Sequence, residues 1–193
     1  MPPDALVLGF DTSAAHCAAA LLRGDRILAA RAEAMGRGQA ERLMPMLEEM
    51  LAGAGAGWRD LAAIGVGTGP GNFTGVRISV AAARGLAVAL AIPAIGISGF
   101  EAGAALAREG GAATGPVWVA APAPQGMVHL WRSADARAEI ATTGATAPLL
   151  RAENDPGPLD AALIRLDQTD PRDLAVAIAR IAALRRGRAL PRP

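Results

Sequence analysis

Nine residues, Gly67-Thr68-Gly69-Pro70-Gly71-Asn72-Phe73-Thr74-Gly75, join an apolar segment over 62–68 directly to a helical stretch over 76–91. A buried strand, a glycine-rich turn and a helix in that order point to an α/β fold with a parallel sheet. Bare amides at such a turn and the positive end of the helix dipole both favour an anion, so Gly69, Pro70, Gly71 and Asn72 are candidate nucleotide- or phosphate-facing residues. The run matches neither the Walker loop nor the dinucleotide fingerprint. A tight turn with glycine where φ must be positive explains it as well, and Asn72 and Thr74 suit helix capping under either reading.

A second candidate for the same site lies near the start. The apolar run of residues 5–10 ends in Asp11-Thr12-Ser13, which reads as a buried strand delivering oxygen-bearing side chains to its carboxyl end. Those oxygens suit Mg²⁺ or a phosphate, and they suit an Asx or capping turn equally. Residues 16–22 and 26–31 flank Arg23-Gly24-Asp25 as a hairpin, so the chain opens with three strands. His16 and Cys17 are adjacent on one of these, which points them to opposite faces and excludes a dyad. His129 reads as structural or exposed.

A helix fits residues 39–54, with Leu43, Leu47, Met50 and Leu51 on one face and Glu41, Glu48 and Glu49 on the other. Pro45 should bend it or separate its first turn. The stretch over 76–91 shows two apolar faces: Val76, Val80, Ala83, Ala87 and Leu90 form one, and Ile78, Ala82, Gly85 and Ala89 form another of mainly small residues. A helix apolar on two sides packs on two sides, so the second face is expected to meet a partner. Residues 94–98 give another strand. Gly110-Gly111 and Gly115-Pro116 mark a lobe boundary, dividing the chain into 1–109 and 110–193. Beyond it, residues 117–121 and 127–132 can pair as strands, and 173–186 forms a final helix. Arg180, Arg185, Arg186, Arg188 and Arg192 make its end basic, as either a solvated tail or a contact with a partner or RNA.

Composition removes several chemistries. All nineteen basic residues are arginine, so the Walker lysine, a Schiff base, a Ser-Lys dyad and a kinase-type strand lysine are excluded. One cysteine and two histidines supply neither a disulfide nor an N/S zinc tetrad, and no metal site is expected. The net charge of +1 disfavours RNA binding by this chain alone. Ser98, in Gly96-Ile97-Ser98-Gly99-Phe100, misses the nucleophile-elbow pattern by one residue, and no catalytic residue is assigned. Residues 78–98 are apolar enough to suggest a membrane span, but Arg84 and Pro93 interrupt them, and the start carries no basic leader region. A soluble, cytoplasmic protein is expected, with no membrane partner.

The ordered set Gly9-Phe10-Asp11-Thr12-Ser13, Glu41-Arg42-Leu43-Met44-Pro45, Val66 through Arg77 and Gly85-Leu86-Ala87 through Ile92-Pro93 resembles the bacterial TsaB (YeaZ) family, the short paralogue of the glycoprotease-like TsaD proteins. The resemblance covers about residues 6–106. It implies an actin-like, Hsp70-like ATPase (ASKHA) fold of two ribonuclease-H-like lobes, here with a complete first lobe and a shortened second one. It further implies a scaffold subunit for making threonylcarbamoyladenosine in tRNA, with a TsaD-type subunit performing the transfer and a TsaE-type ATPase joining. The family's interface maps onto Glu41, Arg42, Pro45, Met46, Ile78, Ala82, Gly85 and Ala89, serving a homodimer when the chain is alone. tRNA is reached only through the complex. No cofactor is required by the chain itself, while ADP or ATP is admitted at the partner interface alongside Asp11, Thr12, Ser13 and the loop. Where TsaD-type members carry metal-ligating histidines, this chain has Gly99 and Gly103. Ala123-Pro124-Gln125 and Ala189-Leu190-Pro191 replace two features frequent in the family. An autonomous ASKHA-type enzyme, a small-molecule kinase or glycoprotease-like hydrolase, is the alternative reading.

Overall fold

The computed structural model describes residues 5–111, 115–133, 147–154 and 161–187. Three antiparallel strands open the chain: β1 (Leu6–Asp11), β2 (His16–Arg23) and β3 (Arg26–Ala34). Helix α1 (Gln39–Gly53), β4 (Leu61–Gly67), α2 (Phe73–Leu90) and β5 (Ala94–Ile97) follow, with β4 parallel to both β1 and β5. The resulting five-stranded sheet has the order β3-β2-β1-β4-β5. After α3 (Gly99–Glu109), strands β6 (Val117–Ala123), β7 (Met127–Arg132), β8 (Leu149–Ala152) and β9 (Ala162–Arg165) form a four-stranded sheet of order β8-β7-β6-β9, and α4 (Pro171–Arg185) ends the described chain.

The second sheet repeats the first without its last strand. In each, three consecutive antiparallel strands are followed by a fourth that pairs parallel with the first of them. Helix α4 follows β9 as α2 follows β4. This duplicated unit is the actin-like, ribonuclease-H-like α/β architecture, with fewer elements described in its second copy.

The first sheet is buried on both faces because its strands are apolar at odd and even positions alike. Leu6, Leu8, Phe10, Cys17, Ala19 and Leu21 face α1 and α2. Val7, Ala18, Ala20 and Leu22 face the other way, onto α4. Chain order and packing part company here: α4 comes from the 110–193 half but covers the 1–109 sheet, touching β1, β2 and β4. It lies so close that a Cβ on Gly9 would sit 2.6 Å from the Ala179 amide nitrogen, and one on Gly65 2.9 Å from the Ile178 carbonyl oxygen.

Helix α3 joins the two sheets and was not legible as a helix. Phe100, Ala104 and Ala107 face the second sheet, where Phe100 stacks on Trp131 with ring centroids 5.9 Å apart. Ala102 and Ala105 face α4. The near-elbow Ser98 is its N-cap: Ser98 Oγ accepts from the Glu101 amide, and the Glu101 carboxylate accepts from the Ser98 amide at 2.8 Å. The Glu101 carboxylate also takes a 2.6 Å bond from Arg185, which is only 4% exposed. Arg180 pairs with Glu109. The expectation of a solvated or RNA-facing basic end therefore fails at Arg185, while Arg180 stays 34% exposed in its pair; both pairs link α4 to α3. Arg186 is half-buried, while Arg188, Arg192 and Ala189-Leu190-Pro191 lie outside the described residues.

Pro45 does not separate a first turn, since α1 is one helix from Gln39 to Gly53 with Pro45 on its exposed side. Helix α2 is long and apolar enough by composition to cross a bilayer. It nonetheless carries Arg77 and Arg84 and packs against β4, β5 and α1 as part of the first lobe.

The close approach of α4 gives a stability prediction of opposite signs. Gly9→Ala forces a methyl into the α4 backbone and should cost about 1–3 kcal/mol, the usual range for overpacking. Gly85→Ala, on an exposed part of α2 with nothing within 4 Å of the added carbon, should gain up to about 1 kcal/mol of helix propensity. Urea denaturation of both variants checks this, and a loss in Gly85→Ala as large as that in Gly9→Ala would contradict it.

Candidate functional site

The carboxyl ends of β1 and β4 stop at the same level, and the segment after each packs against the other. Thr12 is fully buried and its hydroxyl donates to the Gly75 carbonyl at 2.7 Å. The Ser13 carbonyl accepts from the Asn72 amide at 2.6 Å. A Cβ on Gly71 would lie 2.2 Å from Ser13 O, and one on Gly75 1.9 Å from Thr12 O, so both positions admit no side chain. Asn72 Oδ1 accepts from the Thr74 and Gly75 amides at 2.9 and 3.1 Å, and Val76 N–H donates to Asn72 O. Deeper in, Ser79 Oγ donates to Gly67 O at 3.2 Å and ties α2 to the end of β4. The amides of Asn72, Thr74, Gly75 and Val76 are thus committed within the chain. Gly71 and Gly75 answer to close packing against residues 12–13, whereas Gly69 takes a φ of +80°, the left-handed turn position that favours glycine.

Above this interlock, a cleft of about 460 Å³ opens between the two sheets. Asp11, Ser13, Pro70, Gly71 and Asn72 line it, whereas Thr12 lies beneath its floor and Gly69 is not in its wall. The opposite wall comes from residues 121–124 and from Leu174 and Ile178 of α4. Asp11 is 6% exposed, and its Oδ2 accepts from Ser13 N–H (3.1 Å), Ser13 O–H (2.8 Å) and His16 Nε2 (3.0 Å). The pairing of His16 with Asp11 was missed in the sequence. The hairpin register carries the signal: Asp11 stands opposite Ala18, two residues from His16 and on the same side of the strand. Cys17 points to the other face, as its neighbour's orientation requires, and burial pushes its thiol up to about 11.

The two helices on the outer side of the first sheet carry the residues assigned to a partner. Glu41 and Pro45 of α1 are exposed. Arg42 holds Glu33 at 2.7 Å and Glu49 at 2.7 Å, and its hydrogen bonds, joined by those of Arg31, pull the Glu49 carboxyl down to about 2. Met46 is fully buried in the first lobe's own core, which removes it from any partner surface. On α2, Gly85 and Ala89 are exposed, but Ile78 and Ala82 pack partly against that same core. The residues of α2 buried deepest are the small ones, Gly75, Ser79 and Ala83, four apart, which lets the helix lie close to its own sheet. Its exposed surface keeps Gly85 and Ala89 of the expected face and extends beyond it. It runs through Phe73 (67% exposed), Arg77, Ala81, Arg84 and Val88 (84% exposed), with the Arg77 guanidinium 3.9 Å over the Phe73 ring. That stripe was legible in principle from the spacing of Phe73, Arg77 and Ala81.

Two duplicated sheets, a covering helix exchanged between them and a cleft between their strand ends define a protein of the actin-like ATPase-fold class. Residues 32–148 match the family model described as TsaD: tRNA N6-adenosine threonylcarbamoyltransferase. The chain is 38% identical over 92 residues, 48% of its length, to the tRNA threonylcarbamoyladenosine biosynthesis protein TsaB of Escherichia coli, and 40% identical over 104 residues, 53% of its length, to that of Haemophilus influenzae. These matches span 39% and 43% of the two relatives, less than half their length. The solved structure of YeaZ from Pseudomonas aeruginosa superposes with a TM-score of 0.73 at 25% identity, covering 98% of this chain and 99% of that one. The chain belongs to the TsaB (YeaZ) family.

If the loop is held by its own hydrogen bonds, Asn72→Ala should remove a two-amide cap and cost about 1 kcal/mol, within the usual range for capping residues. Urea denaturation reads the loss directly. Unchanged stability would mean that the cap does not hold the loop.

Proposed function

We propose that this chain is a non-catalytic scaffold subunit in the synthesis of threonylcarbamoyladenosine on tRNA, binding and supporting a TsaD-type catalytic partner in the cytoplasm. The observation that carries this reading is the exposed stripe of α2 beside the acidic outer side of α1. A monomer leaves Phe73 and Val88 in water at the two ends of this stripe, with Arg77 and Arg84 between them. A helix face that exposes aromatic and aliphatic side chains together with arginines has the composition of a protein interface. The same surface serves a homodimer when the partner is missing. A TsaE-type ATPase joins the complex, tRNA is contacted through it, and ADP or ATP belongs at the subunit junction if it binds.

The site chemistry supports a supporting role over a catalytic one. The amides of Asn72, Thr74, Gly75 and Val76 are already bonded within the chain. At Gly99 and Gly103, a Cβ would lie 2.9 Å from the Leu166 side chain, so the space a ligating side chain would need is filled.

The test is direct binding to a TsaD-type protein from the same organism by titration calorimetry, with Gly85→Arg and Val88→Glu as variants. Each places a charge at the centre of the proposed contact, and loss of about 2–5 kcal/mol of binding is expected from an unpaired interfacial charge. Because both positions are exposed in the monomer, neither variant should lower the unfolding midpoint. Parental affinity in both variants would show that another face binds.

A further inference from the structure

We propose that a second copy of this chain docks on the outer helices with α1 of one protomer lying along α2 of the other, in a register set by Glu41 and Glu48 against Arg77 and Arg84. This rests on the reading of α1 and α2 as an interface and adds the symmetry and the selecting residues of the homodimer. Its basis is a repeat between the two helices. Glu41, Pro45, Glu48 and Ala52 are exposed on α1, and Arg77, Ala81, Arg84 and Val88 are exposed on α2. Both sets follow the spacing i, i+4, i+7, i+11, which keeps each on one helix face. Both read charge, apolar, charge, apolar, with opposite signs. The neighbouring charges of α1 are already matched, since Arg42 holds Glu33 and Glu49, and Arg31 also meets Glu49. Among the described residues no ion pair reaches Glu41, Glu48, Arg77 or Arg84, and Arg77 lies over the Phe73 ring.

Topology decides between the two ways in which such a face can meet its copy. Strand β3 runs parallel to β4, because two antiparallel pairings and one parallel pairing lie between them. Helix α1 returns from β3 to β4 and α2 from β4 to β5, so the two run side by side in the same direction on one face of the sheet. Gln39 at the start of α1 and Asn72 at the start of α2 line the same cleft, so the helices begin at the same end. A two-fold axis across the helices would set α1 on α1 and α2 on α2, with like charges opposed. An axis along the helices instead sets α1 parallel to α2 of the copy. Glu41 then meets Arg77 and Glu48 meets Arg84, with Pro45 over Ala81 and Ala52 over Val88, and the symmetry repeats every contact. Glu41 is the third residue of α1 and Arg77 the fifth of α2, an axial offset of about 3 Å that these long side chains span. Opposed like charges penalise the wrong arrangement, so the four residues act on register and partner choice more than on affinity.

Sedimentation equilibrium of the full chain and its charge variants tests this at fixed ionic strength. Glu41→Arg with Glu48→Arg, and separately Arg77→Glu with Arg84→Glu, set like charges face to face, and each double variant should weaken the dimer at least about 10-fold. All four substitutions in one chain restore opposite signs and should recover most of that loss, which a merely structural effect of the substitutions would not do. The four positions are exposed, so every variant should keep the parental circular dichroism. Unchanged dimerisation in both double variants, no recovery in the fourfold exchange, or a parent that stays monomeric throughout a concentration series would each overturn the proposal. Val88→Glu separates that failure from a wrong face: if it weakens the dimer where the charge reversals do not, the interface stands and its charge register does not. A monomeric parent that still binds a TsaD-type protein in calorimetry would leave the scaffold reading intact.

Discussion

Helix α4 crossing the backbone of β1 and β4 is the contact on which the rest of the structure depends. It is possible only because Gly9 and Gly65 present no side chain where Ala179, Ile178 and Ala182 lie. Through that contact the second half of the chain seals the first sheet, completing a core that β1, apolar on both faces, could not close alone. The same helix is clamped to α3 by Arg185 to Glu101 and Arg180 to Glu109, and α3 is fixed to the second sheet through Phe100 and Trp131. The spacing of the two sheets therefore follows from one helix. Leu174 and Ile178 on it become a wall of the cleft.

That arrangement separates two surfaces of different character. The inner one, at the strand ends, is rich in hydrogen bonds among residues 11–13 and 72–76, so a loop with the composition of a phosphate cradle is held shut by its own side chains. The outer one, on α1 and α2, exposes Phe73 and Val88 with Arg77 and Arg84 between them. A protein whose inner site is internally satisfied and whose outer helices are not fits a member of the TsaB (YeaZ) family acting through contacts with another subunit.

The elements legible in the sequence were those with strong periodicity and clear punctuation: the opening hairpin around Gly24, α1, β4, α2 and the paired β6 and β7. Helix α3 was not legible because six of its eleven residues are alanine or glycine and give little amphipathic contrast. Its start was nonetheless written as the capping box Ser98 to Glu101, which was passed over in favour of a comparison with nucleophile motifs. Of the small residues of α2 expected to meet a partner, Gly85 and Ala89 are exposed and Ala82 packs partly against the core, while a different set, Gly75, Ser79 and Ala83, faces the helix's own sheet, where close packing is needed. The inward turn of Arg185 and the bond between Asp11 and His16 depend on contacts across 84 and 5 residues. No local pattern encodes the first, and the second needed the hairpin register.

The central claim is that this chain acts by supporting a catalytic partner. Reconstitution with TsaD-type and TsaE-type proteins of the same organism, followed by quantification of threonylcarbamoyladenosine in tRNA with and without this chain, tests it most directly when ATP turnover by the chain alone is measured in parallel. The account predicts modification that requires the chain and no turnover by the chain in isolation. Modification of equal extent without it, or Mg²⁺-dependent ATP turnover by the isolated chain that is lost in Asp11→Ala, would contradict the account and point to an autonomous enzyme of the same fold.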